Sequence, residues 1–103
     1  MLGIKSNGQN GAGLSLTSAK LLQNIPNPFN QTTLIGYYLP QNYGQAFLKI
    51  TSISGQTIKS IVLTGNGNGQ LNVQTSQLAA GTYTYTLIVD GNVVDTKEMV
   101  LIR

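Results

Sequence analysis

Asp95 and Glu98 are the nearest this sequence comes to a pair of working carboxylates, and their spacing keeps them apart. On a strand, residues three apart point to opposite faces, so these two cannot converge on a substrate or a cation. The third acid, Asp90, lies in a run of Asp, Gly and Asn where an aspartate serves the backbone of a turn. Histidine is absent, which removes the usual general base, the Ser-His-Asp arrangement and the commonest metal ligand together. Cysteine is absent too, so neither a disulfide framework nor a thiolate metal site is available. No enzymatic activity, cofactor or metal is expected.

Three other patterns are weaker than they look. "GNGNG", residues 65–69, resembles a phosphate cradle, but such loops need a helix after them and here a strand-like run follows. Asn30, Gln31 and Thr32 match a glycosylation sequon, a tripeptide that recurs by chance. Tyr37, Tyr38, Tyr83 and Tyr85 could line a sugar-binding strip, although tyrosines at period two are more often half-buried strand residues. The net charge of +3 comes from six scattered basic residues, without the clustered stripe that nucleic acid binding requires. No stretch approaches the roughly 18 apolar residues of a membrane span. With chemistry excluded, function is expected to lie in a surface that another molecule recognises.

The elements that must build that surface are short. A chain of 103 residues makes one small domain. Residues 1–20, rich in Gly, Asn and Ser, read as a flexible linker. The N-terminus lacks the apolar core of a signal peptide, so an export signal is expected on a longer parent chain. From Leu21 the texture changes. Pro26 and Pro28 block helix, and Phe29 is expected to plug the start of the core. Runs rich in Val, Ile, Thr and Tyr follow, separated by turn signals: "TTLIGYYL", "QAFLKITSI", "QTIKSIVLT", "QLNVQT", "TYTYTLIVD" and "VVDTKEMVLI". In the second, Ala46, Leu48 and Ile50 share one face; in the fifth, Tyr83, Tyr85, Leu87 and Val89 do. Ser54 and Gly55 mark one hairpin, and Asp90, Gly91 and Asn92 another. No helical period persists. The fold expected for residues 21–103 is an all-β, immunoglobulin-like antiparallel sandwich of about seven short strands.

Four stretches in order, "LLQNIPNPFNQTTLIGYYLP", "ITSISGQTIKSI", "LAAGTYTYTL" and "DTKEMVLIR", resemble the C-terminal sorting domain of the type IX secretion system, type A, of Bacteroidetes. The style of the chain is also similar to domains that end tail-fibre-like or adhesin-like surface proteins of those bacteria. The resemblance implies an address rather than a machine. It implies recognition by the translocon and its outer-membrane shuttle proteins, which carry an N-terminal cargo through the periplasm to the cell surface or medium. It also implies removal of the domain by a surface sortase, with the linker before Leu21 as the processing region. The motif residues carried over are Pro26, Asn27, Pro28, Phe29, Gly55, Leu78, Gly81, Tyr83, Lys97, Met99, Val100, Leu101 and Arg103.

Gly55, Gly81 and Tyr83 have ready structural explanations, as a turn, a backbone position and a core residue. The "PNPF" stretch and the "KEMVLIR" segment are therefore the expected recognised surface, since structure demands neither Lys97 nor Arg103. Two departures stand out. Ser52 occupies a position where many relatives carry Asp, and Arg103 replaces the commoner Lys. The alternatives are a cell-surface adhesive or carbohydrate-binding sandwich, and an assembly module resembling the immunoglobulin-like part of flagellar hook-cap proteins.

Overall fold

A computed structural model of the protein describes residues 18–76 and 78–103. The described chain is all β, with strands β1 (Lys20–Leu21), β2 (Thr32–Leu39), β3 (Ala46–Ser52), β4 (Thr57–Leu63), β5 (Gly67–Gln74), β6 (Gly81–Val89) and β7 (Asn92–Leu101). They form two antiparallel sheets, one ordered β1-β2-β5 and the other β4-β3-β6-β7. The β-sandwich expected from the alternation is what the chain adopts. Most of the linker, residues 1–17, falls outside the described residues. Lys20, read as linker, pairs with Tyr38 in β1.

Alternation along each strand decides which side faces in. Ala46, Leu48 and Ile50 of β3 are buried, as are Tyr83, Tyr85 and Leu87 of β6; Ile35 and Leu39 of β2 face them from the other sheet. Burying an aliphatic side chain of this size contributes about 1.5–3 kcal/mol. The intervening Phe47, Lys49, Thr84 and Thr86 lie on the outer side and are only partly covered.

Side chains as well as backbone close the turns. Asp90 and Gly91, both at positive φ (52° and 79°), join β6 to β7 through two residues, the geometry that matches strand twist. The Asp90 carboxylate also accepts from the N–H groups of Gly44 (2.8 Å) and Gln45 (2.9 Å), which fixes the loop between β2 and β3. Ser52 Oγ accepts from Gln56 N–H at 3.2 Å in the β3–β4 turn, a bond that needs no acid at position 52.

One local reading is corrected. The "GNGNG" stretch is only partly loop, because β5 begins at Gly67 and pairs Gly67, Asn68 and Gly69 with Leu39, Tyr38 and Tyr37. The Tyr37 ring lies over Gly69, 2.5 Å from where a Cβ would sit, so a side chain here would have to displace the ring.

A candidate recognition surface at one end of the sandwich

The four motifs, scattered in sequence, meet at one end of the fold. Register explains why: Ser52 pairs with Tyr83, Tyr83 with Met99, and Gly81 with Leu101. The β3–β4 turn, the start of β6 and the end of β7 therefore share a pole. Residues 26–29 join them by crossing between the sheets. Ile25 bridges to Leu34 of β2, then Phe29 bridges in parallel to Leu101 of β7. Both peptide bonds preceding Pro26 and Pro28 are cis.

This arch is tied at every step. Phe29 N–H donates to the Val100 carbonyl (2.9 Å), and Ile102 N–H donates to the Phe29 carbonyl (2.8 Å). Asn27 Oδ1 accepts from Val100 N–H at 2.9 Å. Behind the prolines, buried Asn24 donates through Nδ2 to the Pro26 carbonyl (3.1 Å) and to Thr33 Oγ1 (3.0 Å), while Thr33 donates to the same Pro26 carbonyl (2.8 Å). Gln23 Nε2 reaches the Glu98 carbonyl at 2.6 Å. Buried polar groups are tolerable only when satisfied in this way.

Tyr85 ties the same segment to the large sheet. Its hydroxyl accepts from Asn24 N–H and donates to the Leu22 carbonyl, both at 2.8 Å. Burial pushes this phenol up from its ordinary value; the bond with Asn24 opposes the shift and the charge of Asp95 adds to it. Tyr83 donates from its hydroxyl to the carbonyl of Ala79, four residues earlier, the tyrosine corner of sandwich folds. With Tyr83 and Tyr85 buried, a sugar-binding strip that includes them is ruled out, since rings in the core cannot stack on a ligand.

The motif residues divide sharply by exposure. Phe29, Tyr83, Met99 and Leu101 are buried core. Gly55 forms the β3–β4 turn, where its N–H donates to the Ser52 carbonyl at 2.9 Å. Gly81 adopts φ 152°, and half-buried Leu78 donates its N–H to the Thr75 carbonyl. Pro26, Asn27, Pro28 and Arg103 are exposed, and Lys97 and Val100 partly so.

Lys97 and Arg103 both turn out to have partners within the fold. Lys97 pairs with Asp95 at 3.4 Å, a half-exposed contact of small energetic weight. Arg103 donates from Nη2 to the carbonyls of Thr75 (3.2 Å) and Leu78, spanning the loop between β5 and β6. Exposed Ile102 completes the surface and buried Asn24 and Thr33 support it from beneath; none of the three carries a signature of its own in the sequence. The only hint of Asn24 was a polar residue beside two prolines.

Comparison with known proteins gives the family of the chain. The family described as "Secretion system C-terminal sorting domain" matches residues 24–102. No curated protein matches the chain. Among solved structures, the alkylpurine DNA glycosylase AlkC of Pseudomonas fluorescens, bound to DNA containing an abasic site analogue, is similar at 10% identity with a TM-score of 0.46. That likeness covers 84% of this chain and 31% of the glycosylase, and is too loose to carry an argument. The family match runs from the arch through the C-terminal strand, and the chain belongs to the type IX secretion system C-terminal sorting domains.

Proposed function

We propose that the export machinery reads this sorting signal through the pole where the four motifs meet. The observation that carries the reading is the docking of residues 26–29 onto the end of β7, which makes one surface of exposed Pro26, Asn27, Pro28, Ile102 and Arg103 with half-buried Val100. The buried motif residues serve that surface by holding it in shape. A translocon and outer-membrane shuttle proteins bind there, and an N-terminal cargo follows the domain through the periplasm and across the outer membrane. A surface sortase then cuts within residues 1–20, leaving the cargo on the surface or in the medium.

The test is a fluorescent reporter fused to the full chain behind a periplasmic export signal, in bacteria with an active type IX system. Wild type should reach the surface. Ile102→Asp, a change at a half-exposed side chain, should keep its melting temperature and leave the reporter in the periplasm. Surface delivery of Ile102→Asp at the wild-type level overturns the proposed contact surface, and periplasmic retention of the wild type overturns the reading altogether. Mass spectrometry of the delivered cargo should place its new end within residues 1–20. An end inside residues 32–103 counts against the sortase step.

A further inference from the structure

Strand edges are where a small sandwich is most exposed to other chains, and natural edges are blunted by charges, bulges, shortness or cover. Three of the four edges here are protected. β1 is two residues long. β4 carries Lys59 at a position paired with the buried Ile50, so its charge points toward the open side of the core, and the register shifts beside it. β7 holds the Lys97–Asp95 pair and is covered at its end by Phe29. Among the described residues, β5 has none of these devices. It runs in unbroken register with β2 over its whole length and contains no charge and no proline.

The direction of its free groups follows from the pairing. Leu34 exchanges both backbone bonds with Ile25, and Gly36 accepts from Leu22, so these residues of β2 face β1. Thr33, Ile35 and Tyr37 then face β5, opposite Val73, Leu71 and Gly69. The bond from Thr75 N–H to the Gln31 carbonyl continues the same phase. Asn68, Gln70, Asn72 and Gln74 are left with N–H and C=O directed at the open edge. Each of the four bears an amide side chain on the outer face, and none has a side-chain partner among the described residues.

Beside this edge the two sheets gape. A cleft of about 510 Å³ opens between β5 and β4, with Ile58, Ile61, Val73 and Leu78 on its walls and Lys59 at its side. Lys59 is exposed and has no ion pair among the described residues, and no acid lines the cleft. A strand added to β5 would send alternate side chains into the cleft and the rest alongside the amide row.

We propose that β5 accepts an extended segment of a partner protein by β-augmentation. The segment carries apolar side chains at alternate positions, hydroxyl or amide side chains between them, and one carboxylate that meets Lys59. The proposal rests on the sorting reading, with the partner a component of the export machinery, and adds a second contact on the side of the sandwich away from β7.

Two arms test it. In the first, a synthetic peptide of the eight-residue length of β5, alternating Val or Leu with Thr or Asn and carrying one Glu, is added to the purified full chain. Hydrogen exchange at Asn68, Gln70, Asn72 and Gln74 should slow at least about tenfold, while Gly69 and Leu71, already bonded to β2, change little. In the second, the reporter fusion carries Gln70→Pro, which removes one outward N–H, or Lys59→Glu, which reverses an exposed charge. Export should drop about tenfold or more in both, with Gln70→Thr at the wild-type level. Normal export by folded Gln70→Pro and by Lys59→Glu overturns the proposal, as does a peptide that leaves all four amides unprotected. If wild type is not exported but the peptide protects those amides, the sorting reading fails and the binding edge stands. A dimer of the chain that Gln70→Pro dissolves without loss of export makes the occupant a second copy and overturns the proposal.

Discussion

Phe29 and Leu101 lie side by side in a parallel bridge, one at the end of the proline arch and the other at the end of β7. Both side chains are buried, at 2% and 1% exposure. The contact joins two stretches that the sequence presents as separate signals. Distortion of either stretch therefore distorts both.

Phe29→Ala should accordingly cost about 3–5 kcal/mol, the range for removing a buried aromatic ring. A domain of this size has only about 5–15 kcal/mol in total, so the variant should lose a large share of its stability. Denaturant unfolding at 10 °C would measure the loss. A cost below about 1 kcal/mol would mean that the ring does not seal the core.

Arg103→Ala should cost about 1 kcal/mol, because it removes charge-assisted donors from the Thr75 and Leu78 carbonyls at a site open to water. The loss should be local. Hydrogen exchange at Leu78, whose amide bonds to the Thr75 carbonyl, should quicken while the amides of β3 are unchanged. Arg103→Lys should recover less than half of the loss, since a single ammonium does not reproduce the guanidinium fork.

Tyr85 makes stability depend on alkaline pH. Folding holds its phenol above the ordinary value of 10.0, chiefly through burial. The folded state keeps the proton where the unfolded chain releases it, so the contribution is complete below about pH 10 and is lost as pH rises through the folded value. Tyr85→Phe should cost about 1–3 kcal/mol at neutral pH by leaving Asn24 N–H and the Leu22 carbonyl unpaired. Its denaturation midpoint should then fall less steeply than wild type above pH 10; parallel curves would refute the assignment.

What the sequence made legible was local. Alternation placed Ala46, Leu48 and Ile50 of β3 and Tyr83, Tyr85 and Leu87 of β6 inward, while β2, β4 and β7 were legible as Val-, Ile- and Thr-rich runs between turn signals. Asp90 and Gly91 declared their turn because few residues adopt their backbone conformation. The start of β5 was hidden because Gly67 and Gly69 have no side chain to reveal a face. Arg103 and Tyr85 were opaque for another reason: their partners at Thr75, Leu78, Leu22 and Asn24 become neighbours only once the order of strands in two sheets is set. In the last strand the motif named Met99, Val100 and Leu101 alike, and only the packed structure separates buried Met99 and Leu101 from Val100.

Gly81 and Tyr83 give the last prediction. Gly81 sits at φ 152°, where an L side chain is strained, and no atom lies within 4 Å of a Cβ built there. The cost of Gly81→Ala is therefore backbone strain, about 1–3 kcal/mol. Tyr83→Phe should cost about 1 kcal/mol through loss of the bond to the Ala79 carbonyl. Relief of the strain at Gly81 would move residues 79–81 and weaken that same bond, so the two changes act on one corner. Their combined cost should fall short of the sum by about 0.5 kcal/mol or more in a double-mutant cycle of denaturant unfolding. Strict additivity would mean that the glycine and the tyrosine hold the start of β6 independently.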